Sequence, residues 1–196
     1  MAQTSTTLIS SKSHLTSITG TDISFTATSG IYTIKATSTT LTGSGKLAVG
    51  DLITVSGSAS NNSTFTVSTV VSTLEITVSE VVTSENADGS STVTLDHVGF
   101  VSDKSKGDGY YSQPNGVHTV AYQVPASFNE DATIKMQGTL ATTPTEDDWF
   151  DISGTTFTSD TSTLTSSYNF TGNYVWVRGK TQLLTAGTVN SILLNS

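Results

Sequence analysis

The feature that most constrains this chain is its period. Beyond Asp22 apolar and polar residues alternate in short runs, and no stretch repeats its apolar residues at helical spacing. Ile23-Ser24-Phe25-Thr26-Ala27, Ile31-Tyr32-Thr33-Ile34-Lys35-Ala36 and Leu52-Ile53-Thr54-Val55 are three such runs. Residues 64–70, 73–78 and 92–95 supply three more. Strict alternation sends successive side chains to opposite faces, which suits half-buried strands. Ser29-Gly30, residues 57–63 and residues 85–90 interrupt the runs with turn-forming Gly, Asn, Asp and Ser. Roughly five to seven strands at this spacing predict a small barrel or sandwich. Threonine suits the outward positions because it is β-branched, polar and uncharged.

The second half follows the same rule with more aromatic residues. Thr133-Ile134-Lys135-Met136-Gln137-Gly138-Thr139-Leu140 alternates, and Trp149-Phe150-Asp151-Ile152 follows the turn Pro144-Thr145-Glu146-Asp147-Asp148. Tyr174-Val175-Trp176-Val177-Arg178 is apolar through its middle and bracketed by Gly172-Asn173 and Gly179, so it reads as a strand covered on both faces. Residues 117–124 open this half and residues 187–194 close it. Trp149 and Trp176, the only tryptophans, are expected in the core of one antiparallel sandwich.

The fold class is therefore all-β: two small antiparallel sandwich or barrel domains, at 22–97 and 98–196, preceded by an extended N-terminal arm at 1–21. Residues 98–116 read as the link, being charged and glycine-rich and then aromatic at Tyr110-Tyr111, with a turn at Gln113-Pro114-Asn115-Gly116. The arm is mostly Ser and Thr. It reads either as a poorly ordered terminus or as an arm that orders on a neighbouring subunit, where its isolated aliphatics Leu8, Ile9, Leu15 and Ile18, with no evident place in either domain, would be buried; removing residues 2–20 is then expected to weaken assembly and leave both domains folded.

Composition excludes several classes of function. With 16 acidic residues against 8 Lys and Arg, the net charge is −8, and nucleic-acid binding needs clustered positive charge instead. The absence of cysteine removes disulfides and thiolate metal sites. No apolar run reaches the ~18 residues of a membrane span, and no basic start followed by an apolar core marks a signal segment.

Sites tested by motif mostly fail. Gly43-Ser44-Gly45-Lys46 lacks the earlier glycine and the following Ser or Thr of a phosphate loop, since Thr40 and Leu47 stand there; a turn before a strand is expected. His14, His97 and His118 share no metal spacing, and no Gly-x-Ser-x-Gly elbow occurs. Glu146, Asp147, Asp148 and Asp151 are the acids best suited to Ca²⁺, but their spacing matches no calcium loop, and a solvated acidic turn is expected at 146–151. Asn61, Asn62 and Asn169 begin Asn-x-Ser/Thr patterns of the kind that a chain roughly one-third Ser and Thr produces by chance. Arg178, the one arginine, lies in the most apolar strand and needs a partner there; Asp148 or Asp151 is the expected one. No catalytic, cofactor or metal residue is assigned.

Gly50-Asp51-Leu52-Ile53-Thr54-Val55-Ser56-Gly57, Asn61-Asn62-Ser63-Thr64-Phe65-Thr66-Val67 and Leu74-Glu75-Ile76-Thr77-Val78 resemble a small β module of tailed-phage structural proteins. Residues 134–140, 148–152 and 174–178 are similar to another module of such proteins, with a galactose-binding-like layout. The resemblance implies a non-enzymatic structural subunit of a tailed-phage virion, in tail, neck, baseplate or capsid surface, without cofactor, membrane or nucleic-acid partner. Its expected partners are copies of itself, in a homo-oligomer, and other virion proteins. The alternatives are a capsid decoration protein and an adhesin-like module for a host-surface glycan, which exposed Tyr110, Tyr111 or Trp149 would favour.

Overall fold

The computed structural model describes residues 5–111, 116–126, 128, 131–158 and 164–195. Strand accounts for 51% and helix for 4% of the chain, and the strand ladders are antiparallel, so the all-β class holds. The turn expected at 113–116 lies outside the described residues except for Gly116, as do the first four residues of the expected arm. The chain forms two units, one of Leu15–Phe100 and one of Met1–His14 with Val101–Ser196.

Two strands precede the first crossing between units: β1 (Ser5–Ile9) and β2 (Lys12–Ser13). The unit of residues 15–100 then contains β3 (Ile18–Gly20), β4 (Ser24–Thr28), β5 (Ile31–Lys35), β6 (Asp51–Ser56), β7 (Thr64–Ser72), β8 (Glu75–Val78) and β9 (Val93–Val101). They hydrogen-bond in the order β3-β9-β6-β7-β8-β5-β4. β7 serves two neighbours: residues 64–66 face β6, and from Val67 onward it faces β8 across bulges. A bulged strand bends, and this bend lets one ladder fold over one core in which Ile34, Ile53, Ile76, Phe25 and Phe65 are buried. The loops are fixed by carboxylates. Asp22 accepts the backbone N–H and the hydroxyl of Thr37, Ser38 and Thr39, at 2.5–3.2 Å. Glu85 accepts Ser58 Oγ at 2.6 Å, the N–H of Ala59 and Ser60, and Asn61 Nδ2.

The other unit adds β10 (Ser105–Lys106), β11 (Val117–Gln123), β12 (Thr133–Thr139), β13 (Phe150–Asp151), β14 (Phe157–Thr158), β15 (Thr165–Thr171), β16 (Trp176–Gln182), β17 (Thr188–Val189) and β18 (Ser191–Asn195). One sheet runs β1-β18-β11-β15. In the second, β12 and β16 lie side by side, with β13 and β14 on the outer edge of β12 and β10 on β16. The two pack face to face: a Cβ on Gly179 would lie 3.0 Å from Ile192 Cδ1, and Tyr122 donates its hydroxyl to Thr155 O at 2.8 Å. Met136, Ile134, Val177, Val120 and Ile192 fill the space between them.

Several expectations are corrected. The segment expected as an extended arm on a neighbouring subunit is extended, but within its own chain β1 pairs with β18, Ser5 opposite Asn195 and Ile9 opposite Ile192, while β2 pairs with β17. Ile18 is buried in the core of the unit of residues 15–100, and Leu15 packs on it. Residues 2–20 thus belong to both units, and deleting them would damage each. The link expected at 98–116 is instead the end of β9, β10 and a 3-10 turn at Asp108–Tyr111. Gly179 sits inside β16, at a close approach between sheets, and ends no strand. The tryptophans are half-buried and outside the core. β15 carried no sequence expectation, because Thr165-Ser166-Ser167-Tyr168-Asn169-Phe170-Thr171 is too polar to show the pattern.

Two outcomes follow. Hydrogen bonds from Thr39, Ser38 and Thr37 hold the Asp22 carboxyl far below its usual range, led by the Thr39 hydroxyl. At Glu85 burial pushes upward, but the donors from Ser58, Ala59, Ser60 and Asn61 outweigh it. Both folded pKa values lie below the unfolded ones, so the stability they confer is full above the ordinary carboxylate range and is lost as pH falls through and below about 4. Amide protection factors in residues 15–100, taken against the intrinsic exchange rate at each pH, should fall between pH 6 and pH 3, and Asp22→Asn should flatten that dependence. Separately, removing residues 1–9 strips half-buried Leu8 and Ile9 from β18 and should destabilise that unit by about 2 kcal/mol, read as a lower melting temperature.

Candidate functional site: an aromatic and cationic sheet face

The outer face of β12, β16 and β10 is built by register. Trp176, Arg178 and Lys180 alternate along β16 and so share one face. Trp176 stands opposite Thr139 and Lys106, Arg178 opposite Gln137, and Lys180 opposite Lys135. Lys104 reaches the same face, with Nζ 4.4 Å from the Trp176 ring centre. Five of the chain's eight cationic side chains are thus gathered here.

At one end the aromatic residues rest on a turn that glycines permit. Gly107 and Gly109 run so close to the chain before β16 that a Cβ on either would lie 2.5 Å from a carbonyl oxygen of Tyr174 or Asn173. The Gly109 N–H donates to Tyr174 O at 2.8 Å and the Gly107 N–H to Val175 O at 3.1 Å. Asp108 points inward, accepting the Gly116 N–H and lying 3.4 Å from Nε2 of buried His118, which stacks on Phe170. The next two residues then project outward: Tyr110, 43% exposed, against Trp176 at 4.8 Å, and Tyr111, 56% exposed, edge-on to Tyr110. Lys106 Nζ sits 4.2 Å from the Tyr110 ring centre. Trp176 is tied down by Nε1–H donation to Thr142 O.

The middle of the face is an ion network. Arg178 Nη1 and Nη2 donate to the two oxygens of Glu146 at 2.8 and 2.6 Å, and Nε donates to Gln137 Oε1 at 3.0 Å. Gln137 Nε2 in turn donates to Asp151, which also accepts Lys135 Nζ at 2.6 Å. Trp149 covers the guanidinium, its ring centre 4.2 Å away. The expected partners of Arg178 are corrected: Asp148 accepts the N–H and hydroxyl of Thr145 and closes the turn, and Asp151 is held by Lys135 and Gln137. Glu146 takes the arginine because the short 3-10 turn at Glu146–Asp148 aims its first residue at the sheet. Burial, with Arg178 and Lys135 beside it, lowers the Lys180 ammonium's pKa.

The remaining candidates are dispersed. His97 accepts the Leu15 N–H on Nδ1 and faces Asp51 across 3.4 Å, in a different unit from His118. Among the described residues no group of three or more His, Asp or Glu is placed to hold a metal ion, and of the acidic turn Glu146, Asp148 and Asp151 are engaged as above. Gly43 to Lys46 form the expected turn, Lys46 N–H donating to Gly43 O. Asn61 is buried in the Glu85 cluster, beside a cleft of about 170 Å³ lined by Thr21, Gly57 and Asp88. Sequence reading missed Lys104, Lys106 and Trp176 as one surface, although Lys104 and Lys106 stand two apart, as do Trp176, Arg178 and Lys180.

No family model matches this chain, and no curated protein or solved structure matches it either.

Arg178 is buried and Glu146 partly so, and breaking such a pair leaves an uncompensated charge. Glu146→Gln should therefore destabilise its unit by on the order of 3 kcal/mol. Glu146→Gln with Arg178→Met should cost less than Glu146→Gln alone, as a thermal-melt double-mutant cycle would record.

Proposed function

We propose that this protein is a non-enzymatic structural subunit of a tailed-phage particle, acting through packing against copies of itself. The observation that carries the packing is the outer edge of the sheet β1-β18-β11-β15 at β15 (Thr165–Thr171), which holds no charged residue; β1 (Ser5–Ile9) at the opposite edge is also uncharged but is bulged between Thr7 and Ile9. Monomeric β proteins guard such edges with lysine, proline or bulges, because open N–H and C=O groups invite another strand. Among the described residues β15 has β11 as its sole strand partner, and its regular seven-residue ladder leaves the other edge straight. Symmetric closure with further copies satisfies those groups. The virion setting follows from the resemblance of residues 50–78 and 134–178 to tailed-phage modules.

Light scattering on the full chain should give a closed multiple of the monomer mass, and the chain should appear in many copies in purified particles. Ser167→Lys with Asn169→Lys, both exposed on β15, should shift the assembly to monomer while leaving the melting temperature within a few degrees. A monomeric full-length chain at high concentration, or absence from particles, overturns the proposal. A second reading, recognition of a host-surface glycan, is favoured by the exposed rings of Tyr110 and Tyr111.

A further inference from the structure

We infer that the end of the sheet face formed by Lys104, Lys106, Tyr110, Tyr111 and Trp176 is a binding site for an acidic saccharide, one bearing carboxylate or sulfate groups. The inference deepens the glycan reading and rests on it. It starts from an imbalance. In a chain of net charge −8, carboxylates are plentiful, and among the described residues Arg178, Lys135 and Lys35 have each found one within 4 Å. Among the described residues Lys104 and Lys106 have none, although two acids flank them in sequence. Asp108 is turned inward to His118 and Gly116, and Asp103 makes no ion pair with either lysine. Both ammonium groups are instead held over aromatic rings, at 4.4 Å from Trp176 and 4.2 Å from Tyr110, with Lys106 also 5.5 Å from Tyr111.

A cation over a ring face is attracted by the ring's quadrupole, yet keeps its remaining N–H donors for another partner. The rings thus fix two flexible lysines in place before any ligand arrives, which lowers the ordering cost of binding. Their neighbour Tyr111 offers a ring 56% exposed, edge-on to Tyr110. A flat apolar surface beside fixed ammonium groups matches a pyranose ring that carries an anion: C–H groups lie on the ring and the anion meets the ammonium. A neutral sugar would leave the lysines unanswered, and a purely ionic ligand would leave Tyr111 bare. The turn is also held rigidly, by the Gly107 and Gly109 contacts to residues 174 and 175, so the platform is preformed. At the other end of the face Arg178 and Lys135 are answered by Glu146 and Asp151, and half-buried Lys180 has, among the described residues, no exposed ring beside it, so ring and ammonium are offered together at the lysine and tyrosine end.

The test titrates the full chain by calorimetry with oligogalacturonate, sulfated dextran oligosaccharides, neutral dextran oligosaccharides of equal length, and oligoglutamate, at about 20 mM and about 200 mM salt. An acidic saccharide should bind about tenfold tighter than the neutral one and weaken severalfold at the higher salt. Lys104→Gln with Lys106→Gln should lose about tenfold for the acidic saccharide and leave the neutral one unchanged, Tyr111→Ala should weaken both, and Lys35→Gln with Lys46→Gln should change neither. Equal binding of neutral and acidic oligosaccharides overturns the acidic specificity but leaves the glycan reading standing. No saccharide binding at all overturns both. Oligoglutamate binding as tightly as oligogalacturonate means that the face reads charge on a protein partner, and the saccharide assignment fails. Circular dichroism of each variant should match the parent chain; if Tyr111→Ala alone unfolds, Tyr111→Leu, which keeps bulk but removes the ring, decides the stacking.

Discussion

The guanidinium of Arg178 is the point on which the unit of residues 101–196 depends. From β16, its three nitrogens reach two other pieces of chain, β12 through Gln137 and the 3-10 turn through Glu146, and Trp149 closes over it. A planar fork of fixed donors can satisfy a bidentate carboxylate and a neighbouring amide together, which a lysine cannot. The charge is buried, so each donor must be answered. That requirement sets where Glu146 sits, and with it the path of residues 142–152 over the sheet. It also keeps Trp149 beside the sheet and away from the hydrophobic core.

Glycine sets the other end of the same face. Tyr174 is wedged where a Cβ on Gly138 or Gly172 would lie 2.6 or 2.3 Å from its ring atoms, and its own carbonyl receives the Gly109 N–H. The close approach brings the turn of residues 108–111 onto the start of β16, and the outward direction of Tyr110 and Tyr111 follows from the inward direction of Asp108. Packing inside the unit therefore decides what the surface presents. Exposed rings, fixed ammonium groups and an uncharged sheet edge are consequences of how the sandwich closes.

Both units use carboxylates as structural acceptors. In the unit of residues 15–100, Asp22, Glu85 and Asp88 each gather backbone N–H groups and hydroxyls from the adjoining loops, and Glu80 does the same for Thr66 at 2.6 and 2.7 Å. A chain rich in Ser and Thr supplies these donors in abundance. The acidic composition thus has a local use: it organises loops that carry little apolar material to hold them.

The all-β class, the positions of the inner strands and the need of Arg178 for an acid were legible in the residues, because alternation and a lone charge in an apolar strand are local signals. β1 and β15 were not, since an edge strand with one wet face and few apolar residues resembles a loop until its partner is known. The partner of β1 lies more than 180 residues away, at a distance that no local pattern encodes. The arginine's choice of Glu146 over Asp148 or Asp151 was likewise fixed by the turn's direction in space. Lys104 and Lys106 became neighbours of Trp176 only through the β10–β16 register. Sequence determined what each segment is; tertiary structure decided which segments meet, because pairing across the chain is a competition among many possible partners that only the closed core resolves.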